Sequence, residues 1–303
     1  MSTYKRIFLL LGSNCLFFQY AYSSAQRVDQ LVRHPKSPRI TIITSVYKSD
    51  KFIKGFLEDI IEQTVFDQCE LLLINANSPG NEEAVIKPYL ARYPNITYIQ
   101  LDEDPGIYSV WNLGIQLARS EYITNANTDD RLASNCYELH AKALDKHPEV
   151  DLVYSDHVIT SKPNETLSST RATKNSNFAR FKASEMHRCL PGMNPMWRKS
   201  VHAKHGYFNA DFISAGDWEM WCRAVEGGSI FKKVHAVTGL YYRNPDGLSS
   251  SPLFRVMAEK ERVLIRLLYG SLFEHTRLAD QVLAKQDEQI KKRATKERRI
   301  KTH

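Results

Sequence analysis

The sequence predicts an α/β fold on a mostly parallel central sheet, and three observations carry that prediction. Between residues 37 and 131, short β-branched runs alternate with helical patterns of three- and four-residue spacing. One of these runs, Leu71 to Ile74, is apolar at four consecutive positions, as in a strand covered on both faces. No internal repeat and no long Gly/Ser linker interrupts the alternation.

The elements follow in order. Ile40, Ile42, Ile43 and Val46 form the first strand, directly after Pro38. Phe52, Ile53, Phe56, Leu57, Ile60 and Ile61 then recur on one helical face. Leu71-Leu72-Leu73-Ile74 is a second, buried strand. A helix from about Asn81 places Val85, Ile86, Tyr89 and Leu90 together and stops before Pro94, since the residue before proline avoids helical geometry. Ile96 to Leu101 is the third strand, Val110, Trp111, Ile115 and Ala118 mark the third helix, and Tyr122-Ile123 opens the fourth strand.

Sheets of this kind bind ligands beyond the carboxyl ends of their strands. The residues at those ends are Thr44-Ser45-Val46-Tyr47, Asn75-Ala76-Asn77-Ser78, Asp102-Glu103-Asp104 and Asn127-Thr128-Asp129-Asp130. Polar strand ends also serve turns. Their convergence on one edge points to a metal or sugar-nucleotide site.

Composition bounds the rest. Hydrophobic residues at 43% and charged residues at 25% describe a globular chain, excluding collagen-like, disordered and multi-span membrane classes. The net charge of +7 resolves into about +4 on residues 1–36, +5 on residues 285–303 and −2 between them. A slightly acidic body is a poor nucleic-acid groove, so no nucleic-acid partner is expected. The five cysteines form no C-x-x-C pair and read as reduced thiols. Lys5-Arg6, the apolar stretch Ile7 to Phe18 and Ser23-Ser24-Ala25 read equally as a secretory signal peptide and as a surface segment. Leu253 to Phe273 carries apolar residues at helical spacing, ahead of the basic tail.

The strand-end clusters resemble those of family 2 glycosyltransferases with the GT-A fold. Ile40 to Tyr47 is similar to the opening "V-I-I-P-V-Y-N" strand, and Glu70 to Ser78 resembles "E-L-I-I-V-D-D-G-S". Asp104-Pro105-Gly106-Ile107-Tyr108 with Trp111-Asn112-Leu113-Gly114-Ile115 resembles "D-x-G-I-Y-D-A-M-N-K-G-I". Asn127 to Asp130 occupies the place of the "D-x-D" metal motif. Ala215 to Trp221 resembles the acceptor-side "E-D-Y-E-L-W", and Tyr242-Arg243-Asn244 through Ser249 the segment after it. Together they span about Arg39 to Ser251, in the family's order.

The resemblance implies a GT-A-like three-layer sandwich over residues 37–252, with a nucleotide-sugar half at 37–131 and an acceptor half at 132–252. Residues 253–303 form a helical extension with a basic tail, and residues 1–36 an N-terminal segment. It implies an inverting transfer from a nucleoside-diphosphate sugar, UDP-linked by default, to a hydroxyl of a glycan or lipid-linked saccharide. Asp129 is the expected ligand of Mn²⁺ or Mg²⁺, which favour hard oxygen donors. Asp217 is the expected base; its other reading is a helix cap. Donor and acceptor contacts are expected from Thr44, Ser45, Val46, Tyr47, Asn75, Asn77, Asp104, Gly106, Tyr108, Asn112, Asn127, Asp130, Glu219 and Arg243. Asn75 departs from the family's uracil-binding aspartate, and Asn127 from the first aspartate of the metal motif. Those departures motivate a catalytically degenerate binding protein as the alternative. A nucleotidyltransferase is a further alternative, although Ser45 to Lys48 lacks its Gly-rich phosphate loop. Nucleotide sugars are cytosolic in bacteria, so a cytoplasmic protein is expected, touching membrane through its basic tail; a cleaved leader would instead imply secretion or a lumen.

Trp197, Trp218 and Trp221 fit either an acceptor platform or the core, and Arg198 and Arg243 either phosphate or surface acids.

Overall fold

The computed structural model describes residues 25–29 and 37–273. The signal-like residues before Ala25 and the basic tail 285–303 lie outside the described residues. β2 (Ile40–Val46), β3 (Cys69–Asn75), β4 (Ile96–Leu101) and β5 (Tyr122–Asn125) lie side by side in the order β4-β3-β2-β5, all parallel. Every residue of β3 is buried, which a strand sandwiched between helices requires and which its unbroken apolar run supplies.

Side chains alternate between the faces of β2. Ile40, Ile42 and Val46 join one core with α1 (Ile53–Ile61), α2 (Glu82–Arg92) and α4 (Cys136–Lys146). Ile43 joins the opposite core with α3 (Ile107–Leu117) and α6 (Gly216–Glu226). The result is the expected three-layer α/β sandwich. Gly114 lets α3 lie close on the sheet, since a Cβ there would fall 2.4 Å from an Ile43 methyl.

The second half is less regular. β7 (Leu152–Thr160) runs parallel to β9 (Phe231–Tyr242), while β8 (Met196–Arg198) is antiparallel to both β5 and β7. β6 (Arg131–Leu132) pairs antiparallel with β9. The parallel run therefore belongs to the first half, and the sheet is mixed beyond β5. β1 (Ala25–Asp29) pairs antiparallel with β4, so the N-terminal segment contributes an edge strand. The short α5 (Ser200–His205) precedes α6, and α7 (Arg255–Leu268) packs on it through Ala258, Glu261 and Ile265.

Candidate active site

Four parallel strands place their carboxyl ends on one edge, and the loops after them are tied together. The backbone N–H of Lys48 donates to Ser78 Oγ at 2.9 Å, and that of Ser49 to Glu82 Oε1 at 2.6 Å. Lys48 and Asn77 both hold positive φ, at 49° and 52°. Such geometry persists only where its surroundings impose it, and it concentrates at functional loops. Thr44 and Val46 are wholly buried, so the β2 end presents Ser45 and the exposed Tyr47. Asn77 and Asp104 are exposed, and the N–H of Gly106 donates to Asp104 Oδ1 at 2.9 Å. Gly106 has a φ of 84°, which makes glycine the natural residue at the start of α3.

Asn75 is buried and doubly engaged. Its Nδ2 donates to Tyr98 Oη at 2.8 Å, and its Oδ1 accepts the Ser78 N–H at 2.7 Å.

The acidic turn links β5 to β6. Asn127 Nδ2 donates to Asp130 Oδ2 at 3.2 Å, and the Tyr242 N–H donates to Asp130 Oδ1 at 3.1 Å. Asn244 Nδ2 donates to Asp129 Oδ2 at 2.9 Å. Burial raises both carboxyl pKa values, and the Asp129 charge raises that of Asp130 further. All three side-chain and backbone donors are neutral. Two adjacent carboxylates, Asp130 buried and Asp129 half-buried, that meet only neutral donors fit a hard divalent cation, which Asp129, the less engaged of the two, would hold. Among the described residues no cluster of three or more His, Cys, Asp or Glu could hold a metal unaided.

Asp217 lies in the first turn of α6. Tyr108 Oη donates to its Oδ1 at 3.4 Å and Cys189 Sγ to its Oδ2 at 3.5 Å. Ala215 holds the cap position of the helix, and Asp217 Oδ1 accepts the Trp218 N–H at 2.8 Å, so the carboxylate serves the first turn while it faces Tyr108 and Cys189. Burial raises the Asp217 pKa, against the hydrogen bonds it accepts.

Two expected contacts turn inward. The Asn112 amide clips the Phe208 backbone, accepting its N–H at 3.0 Å and donating to its carbonyl at 2.8 Å. Both Glu219 oxygens receive Arg223, and one also receives Tyr269 Oη at 2.7 Å. Each is thus satisfied by its own chain and works as a structural tie. Trp197, Trp218 and Trp221 are buried, which decides for the core over an acceptor platform. Arg198 donates to the carbonyls of Leu144 and Val150 and pairs with Glu121, whereas Arg243 is exposed beyond β9. His202 is held neutral inside the aromatic core, and His187 and His235 are exposed. Cys69, Cys136, Cys189 and Cys222 are free thiols.

Three supporting residues escaped the sequence reading. Asp59 pairs with Arg131 at 2.9 Å and accepts the Leu132 N–H at 3.0 Å, fixing the exit of the acidic turn. Arg131 crosses α1 over Gly55, where a Cβ would collide with the guanidinium. Glu261 accepts the N–H groups of Ile213, Ser214 and Ala215 at 2.6 to 2.9 Å, holding the approach to Asp217. Only Asn244 had a signal in the sequence, as the neighbour of Arg243. A cavity of about 520 Å³ lined by Ser120, Glu121, Lys199 and Tyr207 lies at the opposite edge, where β5 begins; no candidate residue lines it.

Known proteins match this arrangement. The family model described as "Glycosyl transferase family 2" matches residues 41–203. The minor teichoic acid biosynthesis protein GgaB of Bacillus subtilis is 30% identical over 115 residues, 37% of this chain and 13% of that protein. The chain therefore spans a small part of that relative's length. Staphylococcus aureus TarS residues 1–349, solved with UDP-GlcNAc, superposes with a TM-score of 0.61 at 16% identity, covering 82% of this chain and 71% of that one. The mannosyltransferase PcManGT of Pyrobaculum calidifontis, solved with GDP-Man and Mn²⁺, gives 0.53 at 15% identity, covering 90% and 86%. These two likenesses establish the GT-A-type fold.

Proposed function

The chain belongs to glycosyl transferase family 2, and from that premise we propose that it moves a sugar from a nucleoside-diphosphate sugar to an acceptor hydroxyl. The observation that carries this reading is the edge itself. Asp130 is buried and Asp129 half-buried, with no cation among their described partners, and Asp217 is half-buried beside the neutral donors Tyr108 and Cys189. Such carboxylates are costly to folding unless a ligand or a proton completes them.

Asp129 would hold Mn²⁺ or Mg²⁺, with Asp130 and Asn244 fixing its direction. A divalent ion there supplies Lewis-acid neutralisation of the departing diphosphate. Ser45, Tyr47, Asn75 and Asn77 border the place for the nucleoside, and UDP is the default because TarS was solved with UDP-GlcNAc. Asp217 takes the proton of the attacking hydroxyl, an effect worth roughly 10²–10⁴-fold. Tyr108 and Cys189 orient its oxygens. Direct attack inverts the anomeric carbon. The GgaB likeness favours an acceptor in a cell-surface polymer, carried as a glycan or lipid-linked saccharide.

The test is a nucleotide-release assay over a panel of UDP-, GDP- and dTDP-sugars, with Mn²⁺, Mg²⁺ or chelator. Release of one nucleoside diphosphate, abolished by chelator and by Asp129→Ala, is the expected result. Nucleotide binding without release under any donor would favour the degenerate reading that Asn75 and Asn127 motivate.

A further inference from the structure

α7 is amphipathic twice over. Ala258, Glu261 and Ile265 face the body, while the opposite side is apolar and uncovered by any described residue. Val256 and Leu268 are each 56% exposed and Leu267 is 77% exposed, with Met257, Val263 and Leu264 also exposed between them. On a helix of 3.6 residues per turn these positions fill an arc of about 140°. Leu253, 79% exposed, extends it past the start of the helix. A soluble helix normally turns polar residues outward, so a contiguous apolar face of this width marks an interaction surface.

The charges say what covers it. Arg255 and Arg262 border the apolar arc on one side and Lys260 stands within it, while Arg266 on the same border lies over the Trp218 ring. Of the two acidic residues in the helix, Glu261 is turned inward and spent on the backbone of Ile213 to Ala215. A second copy of this chain would set these cations against each other and bury Lys260, with Glu259 the single acid of the helix left to offset Arg255, Lys260 and Arg262. A lipid surface does neither, because long basic side chains reach up to the headgroups while their stems lie along the apolar layer. Residues 285–303, further along the chain, add a net of about +5. No described helix is long and apolar enough to cross a membrane, so contact from one side is the mode this surface fits.

We propose that α7 docks the protein onto an anionic bilayer, its apolar face at the headgroup boundary and its basic residues against lipid phosphates. The inner side of the same helix grips the Asp217 segment through Glu261, Tyr269 and the Arg266 guanidinium over the Trp218 ring. Docking therefore fixes the candidate active site relative to the membrane.

The experiment is co-sedimentation of the full chain with vesicles of phosphatidylglycerol and phosphatidylcholine, and with phosphatidylcholine alone. The wild-type chain should partition onto the anionic vesicles and lose affinity as salt rises. Leu267→Asp with Leu268→Asp should lower that partition by at least about tenfold, given two exposed leucines removed from the apolar layer. Arg255→Glu with Arg262→Glu should lower it on anionic vesicles only. Circular dichroism and sedimentation velocity, run on every variant, should show the fold and the oligomeric state of the wild-type chain. The proposal fails if the wild-type chain ignores both vesicles. It also fails if the leucine variant binds as well as wild type while deletion of residues 274–303 abolishes binding, since the tail would then be the anchor. A wild-type dimer that the leucine variant splits, with no vesicle binding, would assign the face to a second copy.

Discussion

The carboxyl edge of the sheet and the seams behind it treat buried carboxylates in opposite ways. In the seams each acid meets a cation or a full set of donors. Glu70 takes Arg119 at 2.8 Å, Asp59 takes Arg131, Asp156 takes Lys233 at 2.7 Å, and Glu219 takes Arg223. At the edge, Asp129, Asp130 and Asp217 are met by amides, a hydroxyl, a thiol and backbone N–H groups. The difference separates architecture from chemistry. A compensated carboxylate is finished when the chain folds, whereas an uncompensated one awaits a metal or a proton.

The largest effect should come from the edge. Asp217→Asn is expected to cut turnover by roughly 10²–10⁴-fold while nucleotide affinity stays near wild type. Its folded-state pKa lies above the unfolded value, so the stability it lends is present at low pH and lost as pH rises through the folded pKa. At neutral pH the charged form is therefore a burden, and the asparagine variant should melt no lower than wild type. The same shift puts the acid limb of the rate profile above the ordinary aspartate value of about 4, and the variant should lack that limb. Glu219→Gln inverts the pattern. It weakens Arg223 in a half-buried setting, so it should lose about 1–3 kcal/mol of stability with turnover largely kept. Thermal melts and steady-state rates on the two variants decide the matter. Equal destabilisation by both would erase the distinction between edge and seam.

A middle-sized effect belongs to Glu261, a seam residue that serves the edge. Three N–H groups converge on its carboxylate just before α6 begins. Glu261→Gln replaces one acceptor oxygen by a donor, so one N–H loses its partner and the approach to Asp217 loosens. Turnover should fall about tenfold with nucleotide affinity unchanged, the mark of misplacement rather than lost binding. Affinity and turnover falling together would mean general unfolding.

The same contrast explains what was legible in the sequence. The first half could be read because its buried strands are short apolar-rich runs, unbroken from Leu71 to Ile74, and apolar residues between them recur at three- and four-residue spacing. The second half hid itself. β8 has three residues and β6 two, too short for any pattern, and antiparallel β8 interrupts the parallel order. Edge residues after strands were legible as clusters, which singled out Asp129 and Asp130, whereas Asp217 came from the resemblance of Ala215 to Trp221 to an acceptor-side motif. Glu219 and Asn112 sat in the right motifs but turned inward, because their partners Tyr269 and Phe208 come from distant segments that no local spacing reveals. Glu261 and Asp59 were invisible for the same reason: their donors lie 46 to 48 and 73 positions away, respectively.

The smallest effect tests whether an edge residue already satisfied by its own chain still reads a ligand. Asn75 spends Nδ2 on Tyr98 Oη, which passes its own proton to Gln100 Oε1 at 2.8 Å. Its Oδ1 holds the Ser78 N–H with one lone pair and keeps another for a base N–H. In Asn75→Asp the Nδ2 donor is gone, so the Tyr98 hydroxyl turns to the carboxylate and the Gln100 amide flips to donate in its place. The cost of that reversal is about 1 kcal/mol, since the flip gives up the Gln100 Nε2 bond to the Leu101 carbonyl. The gain is also limited to the difference between a charged and a neutral acceptor, about 1 kcal/mol or roughly fivefold in affinity. Calorimetric titration should therefore show UDP binding about fivefold tighter in the variant, with GDP and ADP unchanged. Equal tightening for all three would place the new charge near the shared ribose or metal, and no change would remove position 75 from base recognition.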